Sequence, residues 1–395
     1  MVDERVDSKN KSTERRRRSA PTVLTAALGS LLLWMSQPPA ALGWLAWVAP
    51  VPWLLVVSGS GRLRFGGYAQ LWLAGVIYWL LAVHWVRLPH PLTPIGWFFL
   101  AAYLGCYLPA FVWVCRTATR RLNAPLWAAA PIAWTGLELL QAHLFSGFQM
   151  GALSHTQAFT PAVIQIADTV GGYGVSFLVM LVAATITEWL PRSRAELFAC
   201  MPTTSQAFAA ASSGTTVAVA LIYGNAANRP TDQAPSDSLS VAIIQGNTLA
   251  TWDPDPSRHQ RIMDRQVAVT RDASRQAAAA GKPLDLIVWP ESMFRAPVDF
   301  VEGEFTKAVD GPDRLAVTQA NARSWFTGLG QEFNAYLLLG GDRYDWCRDE
   351  DLWKPTPFNA AFLIDPQEGL TKTYDKVHRV PFGEYIPLAE NLPPL

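Results

Sequence analysis

Charge is what this chain has least of. Only 16% of its 395 residues are charged, and the basic and acidic residues balance at 32 each. That balance gives no electrostatic handle for nucleic acid or for a strongly acidic partner. Cysteine is scarce too. Cys106, Cys115, Cys200 and Cys347 form no Cys-x-x-Cys and no Cys/His cluster, which argues against a disulfide framework and against a zinc site. The histidines are scattered, and His84, His143 and His155 read as interfacial or packing residues. No Gly-rich phosphate loop and no repeat of solenoid length occurs, so neither a metal nor a cofactor is expected.

What the chain has is apolar surface. Half of its residues are hydrophobic, and most of these fall in the first 225 positions. Apolar stretches near 21–36, 41–58, 66–86, 95–115, 123–141, 162–190 and 205–223 approach the ~20 residues that a membrane-spanning helix needs. The pattern predicts about seven transmembrane helices, with the first two short and bounded by proline. Trp and Pro are frequent, as interfacial belts and interrupted membrane helices require. Every second connecting segment is basic: Arg15 to Arg18, Arg62 with Arg64, Arg116 with Arg120 and Arg121, and Arg192 with Arg194. The intervening segments are nearly free of Lys and Arg. The positive-inside rule then puts the amino terminus in the cytoplasm and everything after Tyr223 on the opposite, periplasmic side.

The pattern divides the chain into a basic tail (1–20), a transmembrane bundle (21–224), a linker rich in Ala, Asn, Pro and Ser (225–239), and an α/β domain (240–395). In the last of these, Val241 to Gln245, Leu284 to Val288, Tyr336 to Gly340 and Phe358 to Asp365 have strand length and composition. Ser257 to Ala280 reads as a helix. Glu291 follows the second strand, at the carboxyl end where open α/β sheets present reactive groups. By itself it could equally end a strand or cap the next element. Lys376 stands in a charged segment with Pro381 and Gly383, read as a loop against the strand ends. Alone it is an ordinary surface lysine.

Together these residues form an ordered set. Val288-Trp-Pro-Glu291, Gly340-Gly-Asp-Arg, Asn359-Ala-Ala and Tyr374-x-Lys376-x-x-x-Val-Pro-Phe-Gly-Glu384-Tyr resemble the nitrilase (carbon–nitrogen hydrolase) superfamily. With the preceding spans, the chain resembles the apolipoprotein N-acyltransferase family. Gly171-Gly-Tyr-Gly-Val-Ser-Phe-Leu, Pro125-Leu-Trp with Glu138, Gln245-Gly-Asn and Thr251-Trp252-Asp-Pro carry the likeness over most of the length.

The resemblance implies an αββα sandwich and an enzyme of the bacterial inner membrane. Such an enzyme moves an acyl chain from a phospholipid to the amino-terminal, diacylglyceryl-modified cysteine of an apolipoprotein through a thioester. It further implies Glu291 as general base, Lys376 as oxyanion stabiliser, Glu384 as a residue that orients that lysine, and Trp252 on a loop against the acyl chains. Two departures stand out. Gln141 occupies a position where the family often has arginine, and no cysteine follows Lys376. Cys347 precedes the lysine in a charged stretch, Asp342 to Asp351, read as a loop. The expectation is a chain truncated before its nucleophile, inactive as it stands, with one sandwich face uncovered. Two other readings remain: a membrane-tethered amidase or nitrilase acting on small amides, and a non-catalytic protein that binds lipid or lipoprotein.

Overall fold

The computed structural model describes residues 22–88, 90–191, 202–228, 238–248, 255, 257–305, 313–349 and 352–378. The chain divides into two compact units, Met1–Pro230 and Thr231–Leu395.

The first unit is helical. Helices lie in each of the apolar stretches: α1 (Thr22–Ser36), a 3-10 turn (Gly43–Trp47) leading into α2 (Val51–Ser58), α3 (Phe65–Ala82), α4 (Thr93–Gly105), α5 (Tyr107–Arg121), α6 (Leu126–His143), α7 (Ala167–Trp189) and α8 (Thr204–Ala227). Among the described residues four stretches are long and apolar enough to cross a membrane: α3, α4 with α5 as the 29-residue stretch Thr93–Arg121, α7 and α8. α1 and Gly43–Ser58 are apolar but shorter. α6 holds Pro131 in its interior and is diluted by Glu138 and Gln141. Large apolar side chains such as Phe65, Ile77, Phe99, Ile132 and Ile222 face outward, the distribution expected of helices whose solvent is itself apolar.

Packing in this unit uses small residues and satisfied backbone ends. A Cβ on Gly75 of α3 would lie 2.7 Å from the Gly105 carbonyl oxygen of α4, so only glycine lets these helices approach so closely. Arg116 is buried and donates to the Val56 (2.6 Å) and Val57 (3.4 Å) carbonyls and to that of Gly61. Arg120 reaches the Gly59 and Gly61 carbonyls. These guanidinium groups thereby occupy carbonyls that the end of α2 leaves without intrahelical partners, and two of the basic segments meet at one end of the bundle. α8 opens with a capping box: Gln206 N–H donates to the Thr203 hydroxyl (3.2 Å) and Thr203 N–H to the Gln206 side chain (2.8 Å).

Among the described residues the second unit is a mixed sheet with two helices, α9 (Ser257–Ala279) and α10 (Asp313–Phe333). Its strands are β1 (Val241–Ile243), β2 (Leu286–Val288), β3 (Phe294–Val301), β4 (Tyr336–Asp349), β5 (Leu352–Asp365) and β6 (Gly369–Asp375). The order is β1-β2-β4-β5-β6, with β1, β2 and β4 parallel, β5 and β6 antiparallel, and β3 also parallel to β4. The register places Ala242, Ile287, Leu337 and Ile364 side by side on one face. Ile287, Leu337 and Ile364 on that row are fully buried and share a core with Met263 and Val267 of α9 and Ala322, Phe326 and Leu329 of α10. Phe294 stacks on Phe326 at 5.1 Å between ring centroids. Ile262, Met263, Gln266, Val267 and Thr270 recur at helical spacing on α9, which is why that segment is a helix with one inward stripe. The other face of the sheet is apolar as well, with Ile243 81% and Tyr336 47% exposed.

Two expectations are corrected. The charged stretch from Asp342 is no loop: β4 continues to Asp349 and pairs residue by residue with β5, because Arg343 meets Asp345 and Asp375 and its charge is balanced within the sheet. β3 and α10 were not anticipated as elements, nor was β6. The first is interrupted by a register shift between Phe294 and Val298, and the inward stripe of the second includes Gln319 and Ala322, so neither carries a clean apolar period.

Candidate functional site

β2 and β3 lie along the same side of β4, and residues 289–293 form the turn between them. Its entry is pinned by Trp289, whose N–H donates to the Leu338 carbonyl (2.9 Å) and whose buried indole donates to the Thr270 hydroxyl of α9 (3.0 Å). Its exit passes through Ser292 at φ 56°, an uncommon backbone state for a residue with a side chain. Glu291 sits at the crest, directly against Gly340 of β4. A Cβ there would lie 2.6 Å from the Pro290 carbonyl oxygen and 2.7 Å from Glu291 Cα. Gly340→Ala is therefore expected to displace the turn, cost about 1–3 kcal/mol and loosen the contacts of Glu291. A thermal unfolding curve of the full chain checks it, and an unchanged midpoint would contradict it.

Across the sheet, β6 ends at Asp375 and Lys376 follows, its N–H donating to the Asn359 carbonyl of β5 (2.8 Å). The Lys376 Nζ lies 2.9 Å from Glu291 Oε1, and the Asn359 side-chain amide donates to the same oxygen. Residues 68 and 85 positions apart in the chain thus converge on one carboxylate oxygen. The Glu291 side chain is 61% exposed and that of Lys376 28%. A pair this accessible contributes only ~0–1 kcal/mol to stability, yet it leaves an ammonium, an amide and a carboxylate open to an incoming ligand.

Behind the pair stands a buried cation. Arg343 of β4 grips Asp375 with two parallel bonds, Nε to Oδ1 at 3.0 Å and Nη2 to Oδ2 at 2.9 Å. Its guanidinium lies between the rings of Phe300 (4.7 Å) and Phe358 (4.5 Å). The clamp holds the residue next to Lys376 and so sets where β6 delivers the lysine. Asp342, opposite Asn359 in the ladder, is a second carboxyl close by. Burial pushes it above the ordinary carboxylate range, with Arg295 and His259 pulling the other way.

Of the residues singled out from the sequence, Glu291 and Lys376 are brought into contact. Trp252 and Glu384 lie outside the described residues. Cys347 is on the same strand as Gly340 but roughly 20 Å farther along it at the ordinary rise per residue, and it is exposed. Cys115 is buried in the helical unit. Among the described residues no group of His, Cys, Asp and Glu is arranged to hold a metal ion. Arg343 was legible only as part of the Gly340-Gly-Asp-Arg string. Its clamp has no local signature because both rings and the carboxylate come from other strands.

A family model described as the apolipoprotein N-acyltransferase N-terminal domain matches residues 29–185. The chain is also similar to proteins named apolipoprotein N-acyltransferase. One, from Geobacter metallireducens, is 32% identical over 94% of this chain and 66% of its own length. Others come from Rhodopirellula baltica, 27% identical over 92% and 68%, and Caulobacter vibrioides, 27% identical over 80% and 55%. The chain spans about two thirds of the length of the first two of these relatives and about half of the third. The matched helical domain and a similarity that continues through the sheet unit carrying Glu291 and Lys376 lead to one assignment: the chain belongs to the apolipoprotein N-acyltransferase family.

Proposed function

We propose that this chain serves the transfer of an acyl group from a phospholipid to the amino-terminal amine of a diacylglyceryl-modified apolipoprotein, through a thioester. The observation that carries the proposal is the convergence of Lys376 Nζ and the Asn359 amide on Glu291 at the mouth of the β2–β3 turn. Glu291 takes the proton of a thiol as its sulfur attacks the ester carbonyl. Lys376 stabilises the tetrahedral oxyanion, the carbon–oxygen bond breaks, the proton held by Glu291 passes to the departing oxygen, and lysophospholipid leaves as its alcohol. The amine of the acceptor then attacks the thioester, the carbon–sulfur bond breaks, and the amine proton passes by way of Glu291 to the thiolate. The 395 residues supply the acid–base half of this site. They hold no cysteine after Lys376, and Cys347 stands seven residues beyond Gly340 along β4. The nitrilase-type sandwich and the roles of Glu384 and Trp252 belong to the same proposal.

The test is a transfer assay with phospholipid and a diacylated peptide, run on the chain extended to the length of its relatives, with hydrolysis of small amides scored alongside. Transfer supports the proposal. Amide hydrolysis without transfer would make the protein a tethered amidase, and binding without turnover would make it a lipid-binding protein.

We also propose seven crossings of a bacterial inner membrane, with the amino terminus cytoplasmic and residues beyond Tyr223 periplasmic. The meeting of the basic segments around Gly61 and Arg120 at one end of the helical unit supports this arrangement. A reporter fused after Tyr223 is expected to be active only outside the cytoplasm. A cytoplasmic signal there would remove one crossing.

A further inference from the structure

The helical unit holds a second polar centre that the proposed acyl transfer does not use. A cavity of about 280 Å³ lies among α1, α3, α5, α6 and the segment from Phe148 to His155, with Trp53, Trp79, Trp134, Tyr107 and Tyr173 among its walls. Glu138 lines it. Its Oε1 accepts the Trp134 indole N–H and the Leu153 backbone N–H, both at 2.8 Å, while its Oε2 is buried without a partner. Tyr78 and Ser30 line the same space, each 6% exposed, and both hydroxyls are buried without partners. The neighbouring Gln37 amide is occupied by the Gly151 and Ala152 carbonyls, and that of Gln141 by Phe148. Among the described residues no Lys or Arg lines the cavity, and its basic lining residue is His155.

A buried carboxyl left with one oxygen unpaired in a low-dielectric interior is costly unless it takes up a proton or something cationic meets it. What the walls offer is three oxygen acceptors and several aromatic faces. That set suits a group with several N–H donors, a positive charge and a small apolar stem, because ammonium donors satisfy oxygen acceptors while ring faces attract the cation. An anion would meet Glu138 unfavourably. A neutral alcohol could pair with the hydroxyls but would leave the carboxylate without a counter-ion. We propose that this cavity binds a compact alkylammonium group, with Glu138 as its counter-ion, the Tyr78 and Ser30 hydroxyls as acceptors and the indole rings as its box. The head group of an amine-bearing phospholipid and a free soluble amine present the same chemistry. The inference is independent of the reading of Glu291 and Lys376.

Saturation-transfer NMR of ethylammonium on the full chain in phosphatidylglycerol nanodiscs, corrected for empty nanodiscs, tests it. The expected result is saturable transfer to ethylammonium and none to ethanol, with apparent affinity at least about ten-fold weaker in Glu138→Gln and weaker by a few-fold in Tyr78→Phe. Glu138→Gln keeps an oxygen for the Trp134 and Leu153 donors. Should it nonetheless fail to fold, Tyr78→Phe and the comparison of ethylammonium with ethanol decide the matter. Replacing the lipid by phosphatidylethanolamine identifies the source: a fall in ethylammonium affinity shows a lipid amine occupying the cavity, and an unchanged affinity points to a soluble amine. Equal transfer to ethanol, equal affinity in Glu138→Gln, or no transfer in phosphatidylglycerol would overturn the proposal and leave a water-filled cavity.

Discussion

Glu291→Gln and Lys376→Ala, each made in the chain extended to the length of its relatives, are expected to lower acyl transfer by about 10²–10⁴-fold while leaving membrane insertion and folding intact. The two halves of this expectation come from different features of the same contact. Glu291 and Lys376 are 2.9 Å apart, but the carboxylate is mostly open to solvent and the lysine partly so, so breaking the pair removes little stability. Chemistry at the carboxylate is another matter. A glutamine in place of Glu291 keeps the geometry around Asn359 but cannot accept a proton from a thiol or an amine. An alanine in place of Lys376 removes the positive charge that would meet a developing oxyanion. Stable, inserted and inactive variants are the expected outcome. Full activity in either would refute its assigned role.

Arg343→Ala is expected to act in the opposite way, through the fold. The guanidinium is almost wholly buried, doubly bonded to Asp375 and held between Phe300 and Phe358. Removing it leaves Asp375 without its partner and a gap between two rings. Because the Asp375 side chain is 34% exposed and can recover some hydration, the loss is placed at about 3 kcal/mol, near the lower end for a broken buried pair. Arg343→Lys is not expected to rescue it, since an ammonium can neither form the paired bonds nor stack on both rings. The end of β6 would fray, and Lys376, the next residue, would lose its approach to Glu291. Thermal unfolding of the full chain measures the first effect. A midpoint equal to that of the unaltered protein would show that the clamp is not what holds β6.

The sequence made some of this legible and hid the rest for physical reasons. Apolar runs of near-spanning length are visible without any knowledge of packing, and helices occur in every one of them. Glu291 was recognisable because a short apolar strand points straight at it, and β2 ends at Val288 just before the turn. Lys376 gained meaning only from the ordered motif around it, since the contact with Glu291 spans 85 residues. The charged stretch from Asp342 looked like a loop because its pairing partner, β5, and its neutralising carboxylate, Asp375, lie elsewhere in the chain. β3 and α10 were hidden by a register shift and by polar or small residues on the inward stripe. Glu138 could be read as part of a family likeness, but a cavity assembled from seven separate segments has no linear signature.

The central claim is that Glu291 and Lys376 work as one acid–base unit in acyl transfer. The most direct test is the double variant Glu291→Gln/Lys376→Ala, assayed beside the two single variants in the extended chain. Groups acting in concert predict that the double variant loses no more activity than the worse single one. A loss equal to the product of the two single losses would show that they act separately, and would contradict this account.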